Sequence, residues 1–269
     1  MDSRALVTNR THLSQELREL GLRDGDVVLV HSSLSGLGWV DGGADAVVEA
    51  LLDAVGSLGT VLFPTLTGSE QDGPDHPPVI GLATTPCWTG AIPDASRRYP
   101  GAIRSIHPTH SVTAIGARAA EFASGHEESR TPCDGRSPYA RLMDTDGMIL
   151  LLGGVTHDSN TTLHALEEVS GVPYHLQERE TDGIVRLPDG GEVVVRNRLH
   201  LWGWERDFPK VGPLLRDAGV ERHGQVGASG ATLLSASGLR DTILPLLEQD
   251  PLFLLSSRAR AAFLRRNVP

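Results

Sequence analysis

The chain has 269 residues, of which 39% are hydrophobic, with 30 glycines and 17 prolines; that is enough apolar material for one sizeable core and excludes a disordered segment. A net charge of −10, with no basic block beyond Arg258, Arg260, Arg265 and Arg266, leaves no footprint for nucleic acid, and the longest apolar stretch, 148–155, is only strand-sized, so no membrane span is expected. Two cysteines without CxxC spacing, Cys87 and Cys133, exclude a disulfide-stapled scaffold and fit a reducing compartment, which gives a cytoplasmic protein of one domain over residues 1–269.

Apolar residues at helical spacing predict a helix over 11–20, with Gly21 placed to end it. The β-branched run 26–30 reads as a buried strand, 32–38 as a small-residue loop, and 41–43 as the opening of a helix to about 55. A second strand at 59–63 completes a β-loop-α-β start, which predicts a layered α/β fold around a mixed or largely parallel sheet. Residues 65–93, rich in Pro, Gly, Asp and Thr, are expected to form a long loop able to line a substrate mouth. A strand at 111–115 and helices at 117–123 and 138–143 follow. The strand 148–152 then ends in Gly153 and Gly154, and the polar turn 157–160 leads into a helix from 161 to about 170, capped by Gly171. The segments 183–187 and 192–195 flank Pro188-Asp189-Gly190-Gly191, a hairpin signature. In the tail, a helix at 213–218, a strand at 231–235 and helices at 239–248 and 251–264 are predicted.

Three stretches can carry chemistry. In Thr161-x-x-His164-x-x-Glu167-Glu168 the three- and four-residue spacing puts a hydroxyl, an imidazole and a carboxylate on one helix face. A carboxylate beside His164 would fix its tautomer and stabilise the imidazolium it becomes as a base; the alternative is an exposed ion pair on a surface helix. In Arg104-Ser105-Ile106-His107-Pro108-Thr109-His110-Ser111, either imidazole can meet a substrate and Ser111 can donate to a developing oxyanion, or the stretch is a polar loop entering a strand. Its HxxH lies on a Pro-containing loop and lacks the helical HExxH pattern, so no metal is expected. The loop His31-Ser32-Ser33-Leu34-Ser35-Gly36-Leu37-Gly38, joined to a helix start, can offer backbone N–H groups to phosphate or amide oxygens, or it is a structural turn; it matches neither the P-loop nor GxGxxG. Cys87 and Cys133 follow prolines with no base beside them, and Trp88, Trp202 and Trp204 read as packing residues, although a loop Trp can cover a ligand.

The phrases VHSSLSGLGWVDGGADAVVEAL, RSIHPTHSVTAIG and NTTLHALEE, in this order over about 20–255, resemble the aminoglycoside 3-N-acetyltransferase family, which is distinct from the GNAT acetyltransferases. The resemblance implies a three-layer α/β/α fold, here with a central mixed, largely parallel sheet and a β-hairpin excursion. It also implies acetyl-coenzyme A as co-substrate and acetyl transfer to the 3-amino group of the deoxystreptamine ring of aminoglycosides. Carried onto this chain, His164 is the general base, Glu167 orients it, and Thr161 donates a hydrogen bond near the thioester. Ser33, Leu34, Ser35 and His107 match positions bordering coenzyme A, and His31, Ser32 and Ser111 from the same phrases are assigned with them. Glu168 leaves the choice of carboxylate open; with Glu70, Asp72 and Asp75 of the acidic loop it is expected to face substrate ammonium groups. A monomer or homodimer is expected, with a small amine as partner and neither nucleic acid nor membrane. The same chemistry on a peptide or amino-phosphonate amine, and a non-catalytic binder of coenzyme A or a cationic metabolite, are the alternative functions.

Overall fold

The computed structural model describes residues 8–267. They trace, in chain order, α1 (Arg10–Leu20), β1 (Val27–Ser32), α2 (Gly43–Val55), β2 (Thr60–Pro64), β3 (Val79–Gly81), α3 (Ala91–Ser96), β4 (Ile103–Arg104), β5 (Val112–Gly116), α4 (Ala119–Ala123), α5 (Pro138–Met143), β6 (Met148–Leu152), α6 (Thr162–Ser170), β7 (Thr181–Arg186), β8 (Glu192–Asn197), α7 (Val211–Asp217), β9 (Glu221–Val226), β10 (Ser229–Ser235), α8 (Ala236–Gln249) and α9 (Ser257–Asn267). Local chemistry sets the ends. The Asn9 side chain accepts from the His12 N–H to start α1, and Gly21, at φ +128°, donates to Leu17 and Arg18 carbonyls to close it.

Seven strands form one sheet in the order β4-β5-β2-β1-β6-β10-β9. At its centre β1 pairs in parallel with β2 (Val27 beside Thr60) and with β6 (His31 beside Leu151). The other pairings, β2 with β5, β5 with β4, β6 with β10 and β10 with β9, are antiparallel. The sheet is mixed as expected but not largely parallel. Parallel neighbours need a crossover connection, whereas the two-residue link between β9 and β10 can only join antiparallel strands.

Alternation along β1 sends Val27 and Leu29 to one face and Val28 and Val30 to the other. The first face is packed by Phe122 of α4, Tyr139 of α5, Leu166 of α6, Leu215 of α7 and Leu239 of α8. Leu13 and Leu17 of α1, Val47 and Leu51 of α2 and Ile92 of α3 cover the second, which completes three layers.

The hairpin is present as β7 and β8, and β3 joins it in parallel to make a second sheet in the order β3-β7-β8. Five elements differ from expectation, among them the two-residue β4, which is too short to show alternation. β3 and α3 fall inside or across the end of the 65–93 loop, because three residues and one Pro-containing turn are too short to show a period. β9, mostly exposed along ERHGQV, is a polar edge strand without apolar alternation. The last helix begins at Ser257, since 251–255 is a turn braced by the Asp250 side chain on the Leu252 N–H. Among the described residues no helix is long and apolar enough to cross a membrane.

The loops leaving β1 and β6 touch backbone to backbone. A Cβ on Gly36 would overlap the Gly153 carbonyl oxygen, and a Cβ on Gly153, at φ +77°, would overlap the Ser33 carbonyl oxygen. Gly153→Ala is therefore expected to lower stability by about 2 kcal/mol or more, read as a fall in the urea midpoint; an unchanged midpoint would mean that the two loops are not locked together.

Candidate active site

A cavity of about 510 Å³ opens at the carboxyl ends of β1 and β2, where ligand crevices of α/β sheets form. Its wall takes Val30, His31 and Ser32 from β1, Pro64 from β2, and Asp158, Ser159, Thr161 and His164 from the turn and helix that follow β6. His110, His175 and His200 add three more imidazoles, and Trp88, Trp202, Trp204, Arg206 and Phe208 complete the rim.

α6 aims His164 into this space. The Asn160 side chain accepts from the Thr162 N–H at 3.2 Å to start the helix, and Gly171, at φ +67°, ends it by donating to the Glu167 and Glu168 carbonyls. One helical turn then sets His164 Nδ1 2.7 Å from Glu167 Oε2. His164 is 26% exposed and Glu167 0%, so this is no solvated surface pair. With Nδ1 held by the carboxylate, Nε2 has no protein partner among the described residues, and the ring packs edge-on against Phe208, centroids 5.1 Å apart.

Glu167 is the node of the site. Beyond His164, its Oε2 lies 3.1 Å from His175 Nδ1, and its Oε1 accepts from Arg206 Nε at 3.2 Å. Burial by itself would raise this carboxyl, but the His164 hydrogen bond and the Arg206 charge more than offset it and hold Glu167 below its ordinary range. Arg206 Nη2 also lies 2.8 Å from His175 Nδ1. The guanidinium keeps its protons, so it donates there, which leaves the neutral His175 ring proton on Nε2, a buried atom with no partner. The closeness of His175 Nδ1 to Glu167 is then a contact of like acceptors that Arg206 bridges.

Burial also keeps the surrounding imidazoles uncharged. It pushes His31 and His175 down to about 3, and His110 and His200 well below the usual range. Further in, His107 stacks on His126 with centroids 4.5 Å apart. His126 is braced by Ser105 Oγ at 2.9 Å on Nδ1 and by the Pro132 carbonyl at 3.0 Å on Nε2, so one neutral tautomer satisfies both. Glu168, one helical turn beyond His164, takes the Cys133 N–H at 3.0 Å, the Thr131 hydroxyl, and His200 Nε2 at 2.7 Å; burial pushes it up to about 8.

The structure thus brings His164, Thr161, His31 and Ser32 to one cavity, with Glu167 behind the base. Other assigned residues lie off its wall. The Ser33 and Ser35 hydroxyls bond to each other at 3.1 Å, and Leu34 packs against the α1–α2 core. His107 is fully buried, with Asn197 Nδ2 2.7 Å from its Nε2. Ser111, also buried, accepts from Arg104 Nε at 2.8 Å and donates to the Thr65 carbonyl, which ties two loops together. The acidic loop corrects another expectation: Glu70 is exposed, Asp72 caps the Ser69 N–H at 2.7 Å and Asp75 pairs with Arg179 at 2.6 Å, all away from the cavity. Glu168 is consumed by internal bonds. Sequence reasoning did not single out His175, His200, Arg206 or Phe208, which sit in aperiodic segments; the crowding of His200, Trp202 and Trp204 in five residues was the available signal.

An imidazole locked on one side by a buried carboxylate and open on the other to a crevice is an arrangement able to accept and return a proton. The chain belongs to the aminoglycoside 3-N-acetyltransferase family, whose model matches residues 29–248, and it is an acetyltransferase. It is similar to aminoglycoside N(3)-acetyltransferase VII of Streptomyces paromomycinus, with 32% identity over 93% of this chain and 96% of that one. Aminoglycoside N(3)-acetyltransferase IV of a Salmonella species is 34% identical over 91% and 90%. Among solved structures, the apoenzyme of aminoglycoside acetyltransferase AAC(3)-IVa superposes with a TM-score of 0.79 at 30% identity, covering 97% of this chain and 99% of that one. A variant of that enzyme is solved with a gentamicin, and the similar AAC-IIIb (TM-score 0.75, 25% identity, 90% and 97% covered) is a binary complex with CoASH.

Two outcomes follow from this electrostatic arrangement. Arg206→Met leaves the Glu167 carboxylate without its guanidinium partner and should cost about 3 kcal/mol in chemical denaturation, whereas a loss below about 0.5 kcal/mol would show that the two imidazoles suffice. His126, which burial holds at about 4 against an ordinary 6.5, stabilises the fold fully above pH 6.5 and progressively less as pH falls towards 4. Denaturation midpoints should decline between pH 7 and 5, with a shallower slope in His126→Asn.

Proposed function

We propose that the protein transfers the acetyl group of acetyl-coenzyme A to the 3-amino group of the deoxystreptamine ring of an aminoglycoside, by direct attack with His164 as base. The observation that carries this reading is the split role of the His164 ring: Nδ1 fixed 2.7 Å from buried Glu167, Nε2 left without a protein partner on the wall of the cavity. His164 Nε2 takes a proton from the acceptor nitrogen as that nitrogen bonds to the thioester carbonyl carbon. The carbon–sulfur bond then breaks, and the departing thiolate recovers the proton from the imidazolium. No acyl-enzyme is required. Glu167 holds the ring tautomer and offsets the charge that the imidazolium carries between the two transfers.

Family membership supports the acceptor, as do the complexes of similar enzymes with CoASH and with a gentamicin. The wall residues fit it as well. His31, Ser32 and Thr161 border the place for the thioester arm, while the Ser33–Ser35 backbone turn lies next along the chain, at the mouth of α2. Asp158 offers the wall a carboxylate for an ammonium group, and the uncharged His110, His175 and His200 do not repel a polycation.

Incubation with acetyl-coenzyme A and gentamicin or neomycin should release one thiol per singly acetylated product, followed by thiol assay and product mass. Binding of either ligand without thiol release would rule out the enzyme reading for these acceptors. His164→Ala should lower kcat by about 10²- to 10⁴-fold with an unchanged circular-dichroism spectrum, and Glu167→Gln by about 10²-fold or more. Near-normal turnover in His164→Ala would remove the ring from the reaction.

A further inference from the structure

Cys133, Glu168 and His200 come from three separate stretches: the loop before α5, helix α6 and the strap after β8. Their thiol sulfur, a carboxylate oxygen and an imidazole nitrogen nevertheless lie within 4.8 Å of one another. All are shut from solvent, with side chains 0%, 3% and 9% exposed. His175 stands beside this trio and would join it as a fourth donor only by a shift of its ring. Its Nε2 is buried without any hydrogen-bond partner and lies 3.8 Å from the same Glu168 oxygen that His200 meets at 2.7 Å.

We propose that Cys133, Glu168, His175 and His200 form a binding site for one divalent transition-metal ion of the zinc type. Thiolate, imidazole and carboxylate together are the donor set that zinc takes, whereas magnesium and calcium select oxygen alone. Acetyl transfer as described above uses none of these four groups in a bond-making role, so catalysis does not account for their gathering. The surroundings match the second layer of a metal site. Glu167 Oε2 is 3.1 Å from His175 Nδ1, so moving the ring proton from Nε2 to Nδ1 frees Nε2 for the ion and gives Nδ1–H a carboxylate acceptor. Arg206 Nη2, which donates to Nδ1 at 2.8 Å, must then turn away from it, while the guanidinium keeps Glu167 Oε1 and the Trp204 carbonyl and the Thr131 hydroxyl keeps Glu168 Oε2. On binding, the thiol proton and the one held between Glu168 and His200 leave to solvent, so affinity rises with pH.

His164, His175 and His200 form a second group of donor atoms within 4.8 Å. It would engage the base itself, whose Nδ1 is already held by Glu167. The four-residue site instead lies beneath the cavity, where an ion would pin the 131–133 loop, α6 and the strap carrying Trp202 and Trp204 to one another.

The full-length Cys87→Ser protein, stripped with chelator and titrated with Co²⁺, tests this with Cys133 as its only thiol. The expected result is one cobalt per chain, a thiolate-to-cobalt charge-transfer band, a rise in Tm, and displacement by Zn²⁺. Adding Cys133→Ser should abolish the band and weaken binding by at least about tenfold, while adding His164→Asn should leave both intact. Failure of the stripped protein to take up stoichiometric metal overturns the proposal, as does uptake without the thiolate band. Loss of binding in His164→Asn would place the ion on the cavity imidazoles and overturn it equally. Should Cys133→Ser not fold, the charge-transfer band of the Cys87→Ser protein alone decides.

Discussion

A carboxylate with no access to water must be matched by fixed partners, and the site is organised around meeting that demand for Glu167. Arg206 reaches it from the strap after β8 and His164 from one turn earlier on α6 itself, while the same guanidinium fixes His175 of the turn beyond α6. Each partner orders a different piece of the cavity wall. Neutralising one buried charge thereby positions the base, the rim carrying Trp202 and Trp204, and the floor beneath them. The same carboxylate holds one side of the His164 ring, so the folding of α6 and the geometry of the site draw on one interaction.

The backbone supplies the frame for that node. Three parallel strands, β2, β1 and β6, point their carboxyl ends at the cavity, and the close crossing of the Gly36 and Gly153 loops keeps those ends together. Antiparallel strands on both flanks extend the sheet without reaching the site, and the small β3-β7-β8 sheet acts through Asn197, whose side chain meets His107 in the buried histidine stack. Packing of imidazole on imidazole works here because burial keeps the rings neutral; charged rings at these separations would repel.

Much of this was legible from residues alone, where periodicity and capping are strong. The 148–152 strand, its glycine exit, and the helix with Thr161, His164 and Glu167 on one face are present with boundaries within a residue. Helical spacing allows His164 to pair with either of two adjacent carboxylates; the partners that hold Glu168 elsewhere, Cys133, Thr131 and His200, leave Glu167 to His164. What stayed hidden depends on long-range contact. His175, His200 and Arg206 lie in segments with no period of their own, and β9 is a polar edge. Residues in the acidic loop carry the right charge for a cationic ligand, yet caps and local ion pairs occupy them. Composition cannot reveal that a side chain is already engaged.

The strap from His200 to Phe208 has two duties at once, since Trp202 and Trp204 shape the mouth while Arg206, two to four residues on, anchors the buried carboxylate. Inserting or deleting a residue there would slide the guanidinium out of register. Exchanging side chains at 201–204 at constant length can reshape the mouth without disturbing that anchor, whereas a change of length is tolerated only in segments that owe nothing to Glu167, such as the one preceding α3.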